Sequence, residues 1–317
     1  GNNMNNLKKI GLTALGTALV TAGSAQAVGL SVSAGTSITF VGTEATAQGN
    51  GWNMTDSISF DASGEMDNGF TVSTNLELDG SALDDRSITI DTGDMGSLTF
   101  SGSGGSGPIG AWDDITPSAN EESWNGYTGS RGMTDDASSK DIFIFDYTAM
   151  DGLAIKAALT PSDSTAAVES SIEYGALYTG IDGLSIYAAV GENNDQISTS
   201  TTLTGKADLS MFGVKYAMGA ITVGYQMNEV DSGTANEDTD ATMMGISYAV
   251  SDDLSVSINT SEVDIENASE HQEATSVSFS YTTGGLTISG THGSMDNIGG
   301  TATSDESQYE LNFGFAF

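Results

Sequence analysis

The carboxylates of one segment dominate the chemistry open to this chain. Residues 104–138 carry Asp113, Asp114, Glu121, Glu122, Asp135 and Asp136, with Arg131 as the one basic residue among them. Carboxylates act as general acids or bases, or activate a nucleophile, when a partner such as histidine shares their site. The two histidines, His271 and His292, sit in no metal-ligand spacing such as H-E-x-x-H, and no G-x-S-x-G elbow is present. Without such partners, fixed charges of one sign do something simpler. In a narrow passage with low-dielectric walls they gather cations and repel anions. Oxygen ligands also suit calcium, so a loop-bound Ca2+ is chemically reasonable, but no EF-hand loop is present to name a metal site. Trp112, Trp124 and Tyr127 lie in the same segment and can pin it to a wall. A connection this long within a compact fold is either functional or disordered.

The elements that would position such a segment follow from the rest of the composition. The chain has 317 residues, with 43 Asp+Glu against 8 Lys+Arg and a net charge of −35. That balance excludes nucleic-acid binding, which needs a basic face. Cysteine is absent, so neither a disulfide nor a thiolate metal site is possible. At 38% hydrophobic residues, too regularly spaced for a solvated disordered chain, the sequence reads as one folded domain. Pro108, Pro117 and Pro161 all fall in loop-like stretches, as a fold built on ladder hydrogen bonds requires.

The first segment reads as a secretory signal. Lys8 and Lys9 precede an uncharged, mostly apolar run from Ile10 to Ala22, and Ala25-Gln26-Ala27 is an A-x-A cleavage site. The run is shorter than the roughly 20 residues of a spanning helix. Cleavage is expected before Val28, leaving 28–317 as the mature domain. Gly1-Asn2-Asn3 reads as an extension upstream of Met4.

After Val28 the dominant pattern has period two. Val72, Leu76 and Leu78 alternate with polar residues, as do Ile221, Val223, Tyr225 and Met227, then Leu254, Val256 and Ile258, then Val277, Phe279 and Tyr281. One face is greasy and the other small and polar. Tight Asp/Asn/Gly turns at 66–69, 93–96, 150–152, 180–183, 218–220, 251–253 and 283–285 alternate with longer acidic stretches at 42–51, 81–85, 104–138, 161–167, 193–202, 231–238, 265–272 and 295–304. Short turns alternating with long loops fit a transmembrane antiparallel up-and-down β-barrel, greasy side to lipid. Sixteen strands are counted, beginning near residues 29, 53, 70, 86, 97, 140, 153, 168, 184, 203, 220, 239, 254, 273, 286 and 305.

Parity then assigns the basic residues. Lys156 lies opposite Leu153, Ile155 and Leu159; Lys206 shares a face with Thr204, Asp208 and Ser210; Lys215 lies opposite Val214 and Tyr216. Together with Arg86, they are expected on the lumenal wall. At the end of the chain Tyr309, Leu311, Phe313, Phe315 and Phe317 share one face.

The mature chain resembles the general diffusion porins of alphaproteobacteria. The resemblance rests on the signal ending Ala25-Gln26-Ala27, the run Ser87-Ile88-Thr89-Ile90-Asp91-Thr92-Gly93-Asp94-Met95-Gly96-Ser97-Leu98-Thr99-Phe100, one long loop after the fifth strand, and the terminal Phe317. It implies a homotrimer of sixteen-stranded barrels in the outer membrane, each a non-enzymatic, cofactor-free channel for small hydrophilic solutes and ions. It also implies a third loop folded into the pore, here 104–138, and a closing strand ending in Phe317 that the barrel assembly machinery reads. In that family a basic wall cluster faces the acidic loop; Arg86, Lys156, Lys206 and Lys215 are few for that role. Two other classes remain: an outer-membrane protease or lipase, and an acidic calcium-binding β-solenoid or adhesin. The second needs glycine-rich repeats, and Gly104-Gly105-Ser106-Gly107 does not repeat.

Overall fold

The computed structural model describes residues 29–43, 51–113, 115–131, 141–162, 169–194, 206–233 and 237–317. The cleavage site at Ala25 and Ala27, together with Asp114, Asp135 and Asp136, lies outside the described residues.

Strands follow one another around a single closed antiparallel barrel, each pairing with its sequence neighbours and the last with the first. They are β1 (Gly29–Thr43), β2 (Gly51–Glu65), β3 (Thr71–Asp79), β4 (Ala82–Asp91), β5 (Ser97–Ser103), β6 (Ile142–Met150), β7 (Leu153–Thr160) and β8 (Ser171–Ile181). The second half comprises β9 (Leu184–Asn193), β10 (Ala207–Met218), β11 (Ile221–Ser232), β12 (Thr239–Ala249), β13 (Leu254–Ile265), β14 (Gln272–Thr283), β15 (Leu286–Asp296) and β16 (Glu306–Ala316). Closure leaves no edge, which a sheet facing hydrocarbon requires because lipid cannot hydrogen-bond a free strand. The seam runs in register from Gly35↔Ala316 to Thr43↔Gln308, and the Phe317 N–H donates to the Ala34 carbonyl at 2.9 Å.

The period-two pattern does what the alternation expects over most of the wall. Across β13 and β14, Val256 pairs with Phe279 and Ile258 with Val277 on the outer face, while Ser257 pairs with Ser278 on the inner one. Tight turns close one end of the barrel. At Gly183 φ is +74° and a Cβ would meet the Ala217 carbonyl, so both conformation and space demand glycine. Strand starts fall close to those read from the alternation. One loop differs: 81–85 is not a long acidic connection. Gly80 and Ser81 turn the chain, β4 starts at Ala82, and the extra residues are absorbed where the β3–β4 register shifts between Leu76 and Leu78.

The alternation also reverses sense toward the long-loop end of β10–β14. In β13, apolar residues are outward at 254, 256 and 258, whereas Val263 and Ile265 are buried inward and Glu262 and Asp264 point out. β10 behaves likewise, with Ala207, Leu209 and Met211 buried inside and Asp208 outside. No register shift accompanies the reversal in the β12–β13 or β13–β14 pairing. Its cause lies within the barrel.

Candidate pore constriction

After β5 the chain turns into the barrel and travels along its inner wall from β8 to β16. It opens with α1 (Pro108–Ala111), a single helical turn. Two apolar seals hold it. Ile109, Trp112 and Ile115 pack with Tyr187, Ala189, Leu209, Met211 and Val230; farther on, Trp124 and Tyr127 pack with Ala241, Met243, Val263, Ile265, Met295 and Ile298. These seals explain the reversed alternation, because inner-wall residues beneath the loop are dry and therefore apolar. All three aromatic residues singled out in the loop take part, and Trp112 lies edge-on to Tyr187 at 5.8 Å.

Between the seals the loop backbone is held by wall side chains. Ile109 N–H donates to Glu173 Oε2 (3.0 Å) and Ile115 N–H to Gln226 Oε1 (3.0 Å). Asn259 donates to the Pro117 carbonyl (3.1 Å), and Ala119 N–H donates to Ser257 Oγ (2.9 Å). Glu121 N–H reaches Thr291 Oγ1 (3.2 Å), and Gln308 donates to the Asn125 carbonyl (2.5 Å). Gln272 closes the series, accepting from Arg131 N–H (3.1 Å) and donating to the Arg131 carbonyl (3.2 Å). Wall glycines make room. A Cβ at Gly175 would strike Trp112, at Gly213 Ile115, and at Gly224 Pro117. These glutamines, asparagines and glycines were not singled out in the sequence. Their only signal was amide and glycine at inward parity within strands that elsewhere carry hydroxyls.

The acids fall into separate groups. Glu121 and Glu122 both accept from the Asn125 side-chain amide, at 2.6 and 2.8 Å, beside a small cavity that Glu310 of β16 also lines. Asp113 sits earlier, over Gln226, which donates to its carbonyl. Arg131 is turned to the long-loop end, where it pairs with Glu237 at 2.7 Å. Tyr127 is buried above Gly293, and burial, with the nearby Glu306 charge adding, pushes its hydroxyl well above the usual phenol range.

A family model described as Gram-negative porin matches residues 11–317. The chain belongs to the Gram-negative porin family. No curated protein matches it. Similar folds include the anion-selective porin of Comamonas acidovorans, at 13% identity and TM-score 0.69, covering 92% of this chain and 100% of that one. An outer membrane protein of Vibrio cholerae, OmpT lacking loop L8, is 15% identical with TM-score 0.72 and the same coverage. Salmonella typhi OmpF, in complex with daunomycin, is 14% identical with TM-score 0.71 over 91% and 97%. The porin is therefore an outer-membrane channel; its tight turns face the periplasm and its long loops the exterior.

The basic residues of this porin are distributed differently from the parity reading. Lys156 of β7 faces the lumen and pairs with Asp146 at 3.2 Å, and Lys215 of β10 faces it over the Tyr187 ring at 5.9 Å. Lys206 does not line the lumen. It precedes β10, is exposed, and pairs with Glu169. The face it shares with Asp208 and Ser210 is the outer one, because here the inner positions are the apolar ones under the loop. Arg86 is also outside. It pairs with the outward Leu76, and its guanidinium lies along Gly102, whose missing side chain leaves the space. It shares this outer face of β4 with Ile88 and Ile90, two and four positions along.

Among the described residues, the wall not covered by the loop, β1 to β4, thus presents no basic side chain to the lumen. Its inward positions carry Asp61, Glu77, Asp79 and Asp91 among serines and threonines, with Asn75 donating to Asp61 at 2.9 Å. At the closing strand Tyr309, Leu311, Phe313, Phe315 and Phe317 share the outward face, with Tyr309 against Phe40. Among the described residues no group of three or more His, Cys, Asp or Glu comes together as a metal site.

Proposed function

We propose that this porin passes small hydrophilic solutes and ions without a catalytic step or cofactor, and that its lumen prefers cations modestly. The observation that carries the preference is acid on both sides of the lumen: Glu121 and Glu122 on the loop, and Asp61, Glu77, Asp79 and Asp91 on the bare wall. A transverse field needs opposite signs on opposite walls. Here Lys156 and Lys215 stand on the loop-bearing side, and Lys156 is paired with Asp146. Like charge on both walls raises cation concentration throughout. The preference is modest because exposed charges in a wet pore are screened beyond about 8 Å at physiological salt. The Comamonas acidovorans neighbour is an anion-selective porin, so the same architecture serves either sign and lumenal charge decides.

Reversal potential in a KCl gradient across a planar bilayer tests this. The wild type is expected to favour K+, and Asp113, Asp114, Glu121 and Glu122 changed together to their amides to move the potential toward anions, most at low salt. Anion preference in the wild type would mean that Lys156 and Lys215 dominate.

Assembly belongs to the same reading. The outer face of β1–β4 carries Trp52, Met54, Leu78 and Leu83 toward the external rim, where β10–β15 carry carboxylates instead. A Vibrio cholerae neighbour was solved in a trimer form. We read this porin as a homotrimer joined through that apolar strip, exported by its signal, cleaved before Val28, and inserted by the barrel assembly machinery through Phe317.

A further inference from the structure

Between the constriction loop and the inner face of β15 and β16 lies a cavity of about 300 Å³. Three carboxylates line it, Glu121 and Glu122 from the loop and Glu310 from β16, and among the described residues no basic side chain does. Glu310 faces inward, between the outward Tyr309 and Leu311 of its strand, and lies close enough to feel the Glu121 charge. The side-chain amide of Asn125 already sits between the two loop acids, donating to Glu121 at 2.6 Å and to Glu122 at 2.8 Å. A nitrogen with two N–H groups therefore has a seat here, but Asn125 brings no charge. Like charges gathered in a half-buried space repel unless a cation joins them. A second observation comes from Tyr127, which is 6% exposed. Its hydroxyl has no hydrogen-bond partner among the described residues, and it stands over Gly293, where a Cβ would come within 2.7 Å of the hydroxyl oxygen. Tyr127 and Gly293 line the same cavity as the three acids. A buried hydroxyl left unbonded is destabilising, and a ligand carrying several N–H groups would satisfy it.

We propose that this cavity is a subsite for the guanidinium group of small solutes. The proposal rests on the reading of this loop as the constriction of a cation-preferring lumen, and it names the class of cation. The carboxylates ring a space rather than converge on a point, and among the described residues no group of three acids is gathered closely enough to hold a metal ion. A bare ion needs such convergence; a cation whose donors spread outward does not. A substituted guanidinium presents five N–H donors in a fixed plane and matches carboxylates two bonds at a time. It is also weakly hydrated, so it gives up water readily on entering a half-buried site, whereas an ammonium gathers its three donors at one strongly hydrated point. In the complex the guanidinium donates to Glu310 on the β16 side and to Glu121 and Glu122 on the loop side, with one edge N–H to the Tyr127 oxygen. The subsite adjoins the open lumen at Glu122, which also lines the larger cavity that holds Lys215.

Binding and passage are measured separately on the full-length refolded protein. Methylguanidinium chloride is titrated calorimetrically into the detergent-solubilised chain at about pH 7, where carboxylates are ionised. One saturable site per chain is expected, with a dissociation constant on the order of 1 mM. Tetramethylammonium has the charge without N–H donors, and methylurea has the donors without the charge; neither should give saturable heat. Saturation by tetramethylammonium over the same range means a diffuse field in place of a site and overturns the proposal, as does the lack of saturable heat with methylguanidinium. Glu310→Gln, equal in size, should weaken binding about tenfold, the loss of a charge-assisted bond. Tyr127→Phe, which keeps the ring in its seal, should weaken it roughly threefold, the loss of a neutral bond. Unchanged affinity in either variant overturns the site. In planar bilayers at about 0.1 M KCl, where charges are felt over about 10 Å, methylguanidinium should interrupt the K+ current of the wild type and do so less in Glu310→Gln. Saturable binding with no effect on the current leaves the site standing and overturns the reading of this loop as the constriction.

Discussion

The two sides of the lumen are built on different rules. From β8 to β16 the inner wall is a seat. It supplies glycines where the loop must approach, amides where its backbone must be held, and apolar side chains where it seals. From β1 to β4 the inner wall is a wet surface of serine, threonine and carboxylate, with side chains that meet water rather than protein. The outer faces show no such division near mid-membrane, where both are apolar. The comparison teaches that a lumenal residue is chosen by what covers it, and that the strand itself constrains only which face a residue takes.

The difference in charge between the two sides can be broken first. Asp61→Lys with Glu77→Lys puts two positive charges on the bare wall opposite the acidic loop. This swing of four charges should move the reversal potential toward anions further than neutralising Glu121 and Glu122 does, and it should not alter assembly. If the potential stays put, the bare wall lies outside the passage that ions sense.

Steric tolerance should differ next. Gly224→Val drives a side chain into Pro117 and should cost roughly 1–3 kcal/mol as an overpacked contact, with reduced conductance as the loop lifts. Ser63→Val, inward on the bare wall of β2, should change stability by no more than about 0.5 kcal/mol and leave conductance alone. Heat-modifiability on gels and single-channel steps read both. Equal effects at the two sites would mean that the loop does not lean on Gly224.

A more local effect is expected from one anchor. Gln226→Ala leaves the buried Ile115 N–H without its acceptor and should cost about 1–3 kcal/mol locally, more as loop mobility than as barrel unfolding. Exchange at Ile115 should rise while the strand amides of β11 stay protected.

The smallest lies outside the lumen altogether. His271, in the turn before β14, has its imidazole pKa raised above the ordinary 6.5, first by the hydrogen bond it donates to Glu262 and then by the Asp264 charge. A raised folded pKa stabilises the charged form. That contribution is complete below pH about 6.5 and fades as pH rises through the folded value. The group is fully exposed, so the melting temperature should fall only slightly from pH 6 to pH 8, and Glu262→Gln should flatten even that. A large fall would point to some other titrating group.

How much of this was legible in the sequence depends on where neighbours intervene. Tight turns and alternation determined the barrel, because turn chemistry and the two-residue repeat are local. The long acidic loop with Trp112, Trp124 and Tyr127 was visible as an outlier in length and composition. In the structure Lys156 and Lys215 face the lumen, on strands that are regular around them. Arg86 lies outside on the face of Ile88 and Ile90, and Lys206 lies outside where greasy no longer means outward. The sequence by itself therefore determined an even-numbered barrel of about sixteen strands, the turn positions, the acidity of the chain and the existence of the long loop. Only the tertiary structure decided which wall the loop lies on, and with it which alternating positions are dry, which acids face open water and which amides serve as anchors. The physical reason is that burial belongs to the pair of surfaces that meet, and a loop that crosses nine strands meets residues more than a hundred positions away.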